Sequence, residues 1–305
     1  NKSKLIWKKN YYKKYEKKLN LILFLANNEK VIVIADNISN YYALDINTGE
    51  LIWKKNSKTA FNSQVKIYKD KFFVVDFENV LRCFSIKDGK EIWKVKTEKS
   101  LIKSQKKNSL IIVRDKVFFS NSIGDISSVD IESGNLIWLT PTQDSSIYET
   151  AFFLQTSDMI SDEDLIIFSN NQNEFFTLDS KSGSVKWKQK INSSLRSTII
   201  DNLIFSVTNE GYLVIIDKNS GNIIRITALF DGLGKRGKLK TKPVGFVVGT
   251  NNIYLTTSNG KLFVVEILTG KTNSIIKIDN EKISRPFILG KNIYIVKDNS
   301  IIKLD

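Results

Sequence analysis

Chemistry must come from side chains that move protons, attack, ligate or hold charge, and in these 305 residues that set is narrow. Histidine is absent, which removes a Ser-His-Asp triad, a histidine general base and most zinc sites. A single cysteine, Cys83, leaves no internal disulfide and no thiolate cluster. It lies in the alternating run Val80-Leu81-Arg82-Cys83-Phe84, where a small buried hydrophobe is the expected role. The stretch Gly232-Leu233-Gly234-Lys235-Arg236-Gly237 invites comparison with a phosphate loop. It lacks the four-residue spacer before Gly-Lys-Ser/Thr, and no helix is expected after it. No catalytic, cofactor-binding or metal residue is assigned, and no enzymatic activity is expected.

Charge is the more informative signal. Forty-six Lys and Arg against 32 Asp and Glu leave a formal charge of +14, which favours acidic partners. Part of the excess is the Lys-, Asn- and Ile-rich composition expected of an AT-rich genome. The rest is concentrated. Lys8, Lys9, Lys13, Lys14, Lys17 and Lys18, interleaved with Tyr11, Tyr12 and Tyr15, fill residues 8–18. Lys96, Lys99, Lys103, Lys106 and Lys107 fill 96–108, and Lys235, Arg236, Lys238, Lys240 and Lys242 fill 228–243. These three stretches hold about a third of the positive charge and are expected on one face, as basic loops toward an anionic lipid surface or an acidic protein. No nucleic-acid partner is expected, because no recognised motif accompanies the lysines.

The elements that carry these loops follow from a repeat. Aligned on its glycine, Asp-x-x-x-Gly-x-x-x-Trp occurs at Asp45/Gly49/Trp53, Asp130/Gly134/Trp138 and Asp179/Gly183/Trp187. Ser85/Gly89/Trp93 replaces the acid, while Asp217/Gly221/Arg225 and Glu266/Gly270/Ser274 lose the indole. Trp7 follows Ser3 at the same spacing, and Asp305 opens a further copy. Units of about 40 to 50 residues built of short apolar runs mark a propeller. The anchors count seven blades, with eight as the alternative. One all-β domain over 1–305 is expected, made of four-stranded antiparallel blades. It closes when Leu5–Lys8 pairs with the C-terminal blade as its outer strand.

In each turn, glycine takes the positive φ that other residues resist, and the acid bonds free N–H groups. After the turn, Leu51 and Trp53 are expected on one face of the outer strand and Ile52 on the other. The tryptophans read as packing between blades rather than as ligand platforms. The longest apolar run, Leu19–Ala26, is too short to cross a bilayer, and no cleavable leader is expected within residues 1–305 themselves.

The repeat Ala-x-Asp-x-x-x-Gly-x-x-x-Trp, intact at Ala43–Trp53, resembles the docking motif of the PQQ-like propellers along the whole chain. One branch, the quinoprotein dehydrogenases, implies pyrroloquinoline quinone and calcium, with an adjacent cysteine pair. The other is BamB, the propeller lipoprotein of outer-membrane β-barrel assembly. The stretches Gly260-Lys261-Leu262-Phe263, Ile283-Ser284-Arg285-Pro286-Phe287 and Lys297-Asp298-Asn299-Ser300-Ile301 are similar to its closing blades. That second resemblance implies a periplasmic, lipid-anchored scaffold without cofactor, monomeric by itself, with leader and anchor ahead of Asn1. It also implies a BamA-like periplasmic partner held through a Leu-x-Leu-Arg segment. Ser193-Ser194-Leu195-Arg196 keeps the last two residues of that segment, so Leu195 and Arg196 are the expected partner contact.

Overall fold

The computed structural model describes residues 5–97, 106–142, 154–162, 164–298 and 300–304. Seven antiparallel sheets, each a meander of consecutive strands, make the blades of an all-β, seven-bladed propeller. The described residues fall into two compact units, the first running to Gln155 and including Ser180–Gly183, the second Thr156–Asp179 and Ser184–Asp305.

The first unit holds three four-stranded sheets. They are β1 (Leu23–Asn27), β2 (Val31–Asp36), β3 (Asn40–Asp45) and β4 (Leu51–Asn56); β5 (Lys66–Tyr68), β6 (Lys71–Val75), β7 (Val80–Ser85) and β8 (Glu91–Lys96); then β9 (Leu110–Val113), β10 (Lys116–Ser120), β11 (Ile126–Asp130) and β12 (Leu136–Thr140). The second unit begins with β13 (Ile160–Ser161), β14 (Leu165–Asn170), β15 (Glu174–Asp179) and β16 (Val185–Gln189). It continues with β17 (Thr198–Ile200), β18 (Leu203–Val207), β19 (Tyr212–Asp217) and β20 (Ile223–Ala228), then β21 (Pro243–Val248), β22 (Asn252–Thr257), β23 (Lys261–Glu266) and β24 (Thr272–Lys277). Its last sheet has three strands among the described residues, β25 (Phe287–Leu289), β26 (Asn292–Lys297) and β27 (Ser300–Leu304).

Continuous buried runs in the second and third strands build the core. Phe72, Phe73, Val74 and Val75 of β6 are all buried, because both faces of a middle strand are covered by neighbouring sheets. First strands are shorter than the apolar runs suggest: β5, β17 and β25 have three residues and β13 two. Phe61 and Ser63, ahead of β5, make isolated bridges to Asp76 and Asn108.

The repeated turn does what its residues imply. Asp45 Oδ1 accepts the Asn47 and Thr48 N–H groups at 2.9 Å each, Gly49 N–H donates to Asp45 O at 2.9 Å, and Gly49 sits at φ +68°. Asp130 and Asp217 repeat that cap on Ser133 and Ser220. The indole of the preceding repeat then lies on the glycine. Trp7, Trp53, Trp93, Trp138 and Trp187 donate to the carbonyls of Ile46, Ile86, Ile131, Ser180 and Lys218 at 2.8–3.2 Å, in each case the residue after the anchor. A Cβ on Gly183 would stand 2.6 Å from the Trp138 ring. Where Trp is replaced, the Arg225 guanidinium donates to the Ile267 and Leu268 carbonyls, so the donor survives without the ring.

Two expectations need correction. A bulge between the third and fourth strands, at Ala43/Leu44 and its counterparts in all six four-stranded sheets, pairs Leu51 with Leu44 and Trp53 with Ala43. Leu44 and Ala43 face opposite ways, so Leu51 and Trp53 do too, and Ile52 is the extra residue. Leu5–Lys8 forms no strand: Trp7 docks on the first sheet's turn, while Tyr11 and Tyr12 pack with Ile34, Tyr42 and Leu44. Tyr12 donates to Asp36 at 2.7 Å, so two of the three tyrosines in the first basic stretch are packing residues.

Gly183→Ala is expected to lower stability by about 2–4 kcal/mol through its positive φ and the indole above it, whereas Gly232→Ala, with open space around it, should change it by less than about 0.5 kcal/mol. Urea unfolding of both variants measures the contrast. Backbone N–H bonds from the turn hold the carboxyls of Asp45, Asp130 and Asp217 below their ordinary value of 3.8. Their ionised form therefore favours the fold above that value, and the contribution is lost as pH falls through the lower folded value. The stability gap between the native chain and Asp130→Asn should accordingly shrink as pH drops from about 5 to about 2, read from unfolding midpoints across that range.

Candidate functional site

Ser193 sets the geometry of the expected partner segment. Its buried hydroxyl donates to Val207 O at 2.7 Å and accepts the Leu195 N–H at 3.2 Å, which pins the chain just ahead of β17. Leu195 consequently turns inward. It is half-buried against a core cluster that includes Phe205, Leu213, Phe230 and Phe246. Arg196 turns out to solvent and lines a cavity of about 1070 Å³ within the second unit.

A second arginine faces the same cavity. Arg285 precedes β25 as Arg196 precedes β17, in Ile283-Ser284-Arg285-Pro286, where buried Ile283 and a Ser284 backbone bond to Val296 O fix the chain. Its Nε donates to Phe246 O at 2.8 Å, and its stem occupies the space a Cβ on Gly245 would need, 2.5 Å from Arg285 Cβ. Burial first, then the like charge of Arg196, lower the Arg285 guanidinium from its ordinary value, while Asp158 acts the other way. A guanidinium keeps its proton even so, so the cavity carries two cations. Ile200, Val247 and Phe287 add apolar wall. Such an arrangement suits an acidic side chain flanked by apolar ones. Sequence reasoning missed Arg285, although Arg-Pro directly before an apolar run marks the same position.

The basic residues are disposed as follows. Lys13, Lys14, Lys17 and Lys18 are exposed, the last two in a 3-10 turn (Glu16–Lys18) whose buried Glu16 accepts the Lys13 N–H at 2.6 Å. Lys103 lies outside the described residues; Lys106 is half-buried and Lys107 exposed. Lys235, Arg236, Lys238 and Lys240 are exposed on a short helix, α1 (Lys235–Lys240), which corrects the expectation of no helix there. Among the described residues no cluster of three or more acidic or cysteine side chains is gathered as a metal site.

Residues 2–227 match the family model described as outer membrane protein assembly factor BamB. The chain belongs to the BamB family. Among solved structures, BamB from Moraxella catarrhalis is similar at TM-score 0.72 and 14% identity, over 92% of this chain and 80% of that one. The computationally designed Ika8 protein is similar at 0.69 and 13%, over 94% and 84%. Quinohemoprotein alcohol dehydrogenase from Comamonas testosteroni is similar at 0.64 and 14%, over 89% of this chain but 63% of that one. At such identities the likeness is one of fold. No curated protein sequence matches the chain.

The dehydrogenase branch calls for an adjacent cysteine pair, and Cys83 stands alone. Cys83 is buried between Phe73 and the third sheet's core, with its thiol pushed up to about 12 by burial. It should therefore resist a thiol-specific disulfide reagent near about pH 8 in the folded chain and react at once in denaturant, as followed by chromophore release.

Proposed function

We propose that this BamB-family chain is a non-catalytic propeller scaffold of the outer-membrane assembly machinery, located in the periplasm and associated with the outer membrane. The match of residues 2–227 to the BamB model carries this reading. Its work is positional: rigid blades hold loops in fixed places, and those loops hold a protein. The partner is a periplasmic domain of a BamA-like, barrel-inserting protein, and a lipid anchor ahead of Asn1 keeps the scaffold at the membrane.

The contact is built around Arg196. An acidic side chain of the partner enters the Arg196–Arg285 cavity while its apolar neighbours meet Ile200 and Phe287. The Arg285 guanidinium, fixed by its bond to Phe246 O and by packing at Gly245, loses little freedom when it pairs, which favours a specific contact over a diffuse one. Leu195 contributes by shaping the segment from beneath.

Binding of a purified BamA-like periplasmic domain, measured by calorimetry, tests this directly. Arg196→Glu with Arg285→Glu should weaken capture by at least about tenfold; because that pair also removes the Arg285 bond to Phe246 O, Arg196→Glu alone, at an exposed side chain, should weaken capture with the thermal midpoint near that of the native chain. Leu195→Ala should lower the thermal midpoint, because its side chain packs on the core. Unchanged affinity in the double arginine variant would overturn the assignment of the cavity.

A further inference from the structure

The connector between β20 and β21 is held rigidly at both stems and carries its charge on a projecting middle. At one stem, Leu229 and Phe230 are buried, the Phe230 ring fills the space above Gly211, and Thr272 Oγ1 donates to Leu229 O at 3.1 Å. At the other, buried Thr241 donates to Gly237 O at 2.8 Å and accepts from Asn259 Nδ2 at 3.0 Å, while Lys242 N–H donates to Ser258 Oγ. Between them α1 has no buried residue, and a Cβ on Gly232 or Gly234 just ahead of it would meet nothing within 4 Å.

Leu233 and Leu239 of this connector point different ways. Leu233 packs beneath the helix against the core of the second unit, whereas Leu239 is 75% exposed between Lys238 and Lys240. Lys235, Arg236, Lys240 and Lys242 have no ion-pair partner among the described residues; Lys238 pairs with Asp231 at 2.6 Å. The result is a convex cationic knob with one apolar tip.

We propose that this knob docks on an anionic phospholipid bilayer, with Leu239 entering the acyl boundary and the surrounding lysines and Arg236 standing over lipid phosphates. A protein pocket deep enough to take Leu239 would strip water from Lys238 and Lys240, whereas a bilayer surface leaves both ammonium groups in the hydrated headgroup layer. Complementary charge and an unpaired apolar tip therefore fit lipid better than a polypeptide groove. The contact uses none of the cavity residues, so it stands or falls apart from partner capture.

Sedimentation of the chain with vesicles of phosphatidylcholine, and of phosphatidylcholine containing phosphatidylglycerol, tests it. Binding is expected to the anionic vesicles and to weaken as salt rises. Lys235→Glu with Lys240→Glu should lower the apparent affinity more than about twentyfold, and Leu239→Ser about fivefold. Both variants should keep the native thermal midpoint and the native affinity for the BamA-like domain. Equal binding to both vesicle types, or anionic-vesicle binding indifferent to either variant, overturns the proposal. So does soluble polyglutamate binding with the same dependence on Leu239, which would make the knob a protein contact.

Discussion

Five of the repeated turns lean on one hydrogen bond and the flat surface beside it: an indole N–H donating to the carbonyl after the anchoring residue, with the ring laid on a glycine. The glycine is required twice over. Its positive φ lets the N–H turn back onto the anchor's carbonyl, and its missing side chain lets the ring approach. Because the turn's own N–H groups are satisfied by the anchor's carboxylate, the next carbonyl is left free to face the neighbouring sheet. The second sheet shows that the requirement is geometric rather than chemical. Ser85 replaces the acid, yet Asp88, held below the ordinary carboxylate range by the Lys90 N–H and Ser85, keeps the turn negative and Trp53 still reaches Ile86 O at 2.8 Å.

That regularity is why so much was legible in the chain. Adjacent residues such as Asn47-Thr48-Gly49 declare a turn through local chemistry, and Phe72-Phe73-Val74-Val75 declares a buried strand through composition. What was not legible depends on partners far away in sequence. The bulge ahead of each Trp is invisible because Ile52, Ile92 and Ile137 look like ordinary strand residues; only cross-strand register shows them to be extra. Trp7 read as an outer strand because its spacing matched, but its indole and Tyr11 are satisfied by Ile46 and Gly49 without a ladder beneath them. The helix at Lys235–Lys240 escaped because Gly234 precedes it and Gly237 lies within it, and six residues are too few for a periodic signal.

The candidate site was half legible for the same reason. Arg196 was found through a short segment shared with a family; Arg285 is 89 residues later and reaches the cavity because β25 lies beside β21, whose Phe246 carbonyl it bonds. Both arginines occupy the same station in their repeats, just ahead of a three-residue strand. A short first strand frees the residues before it from ladder duty, so these positions can vary in chemistry while the blades behind them stay fixed.

The lysines divide along the same line, and net charge alone conceals it. Many sit on outer strands, as in Leu51-Ile52-Trp53-Lys54-Lys55 and Val185-Lys186-Trp187-Lys188, beside half-exposed isoleucines and leucines. There they blunt an open sheet edge that would otherwise invite another chain to pair. Several are tied down locally: Lys54 lies over the Tyr12 ring and donates to Tyr11 O, while Lys186 and Lys188 pair with Asp179 and Glu174. The lysines of the β20–β21 connector have one acid, Asp231, among five cations and no sheet edge to guard. A charge that protects an edge needs only to be present, but a charge left unpaired on a rigid stem pays a cost in mutual repulsion that a surface of opposite sign removes.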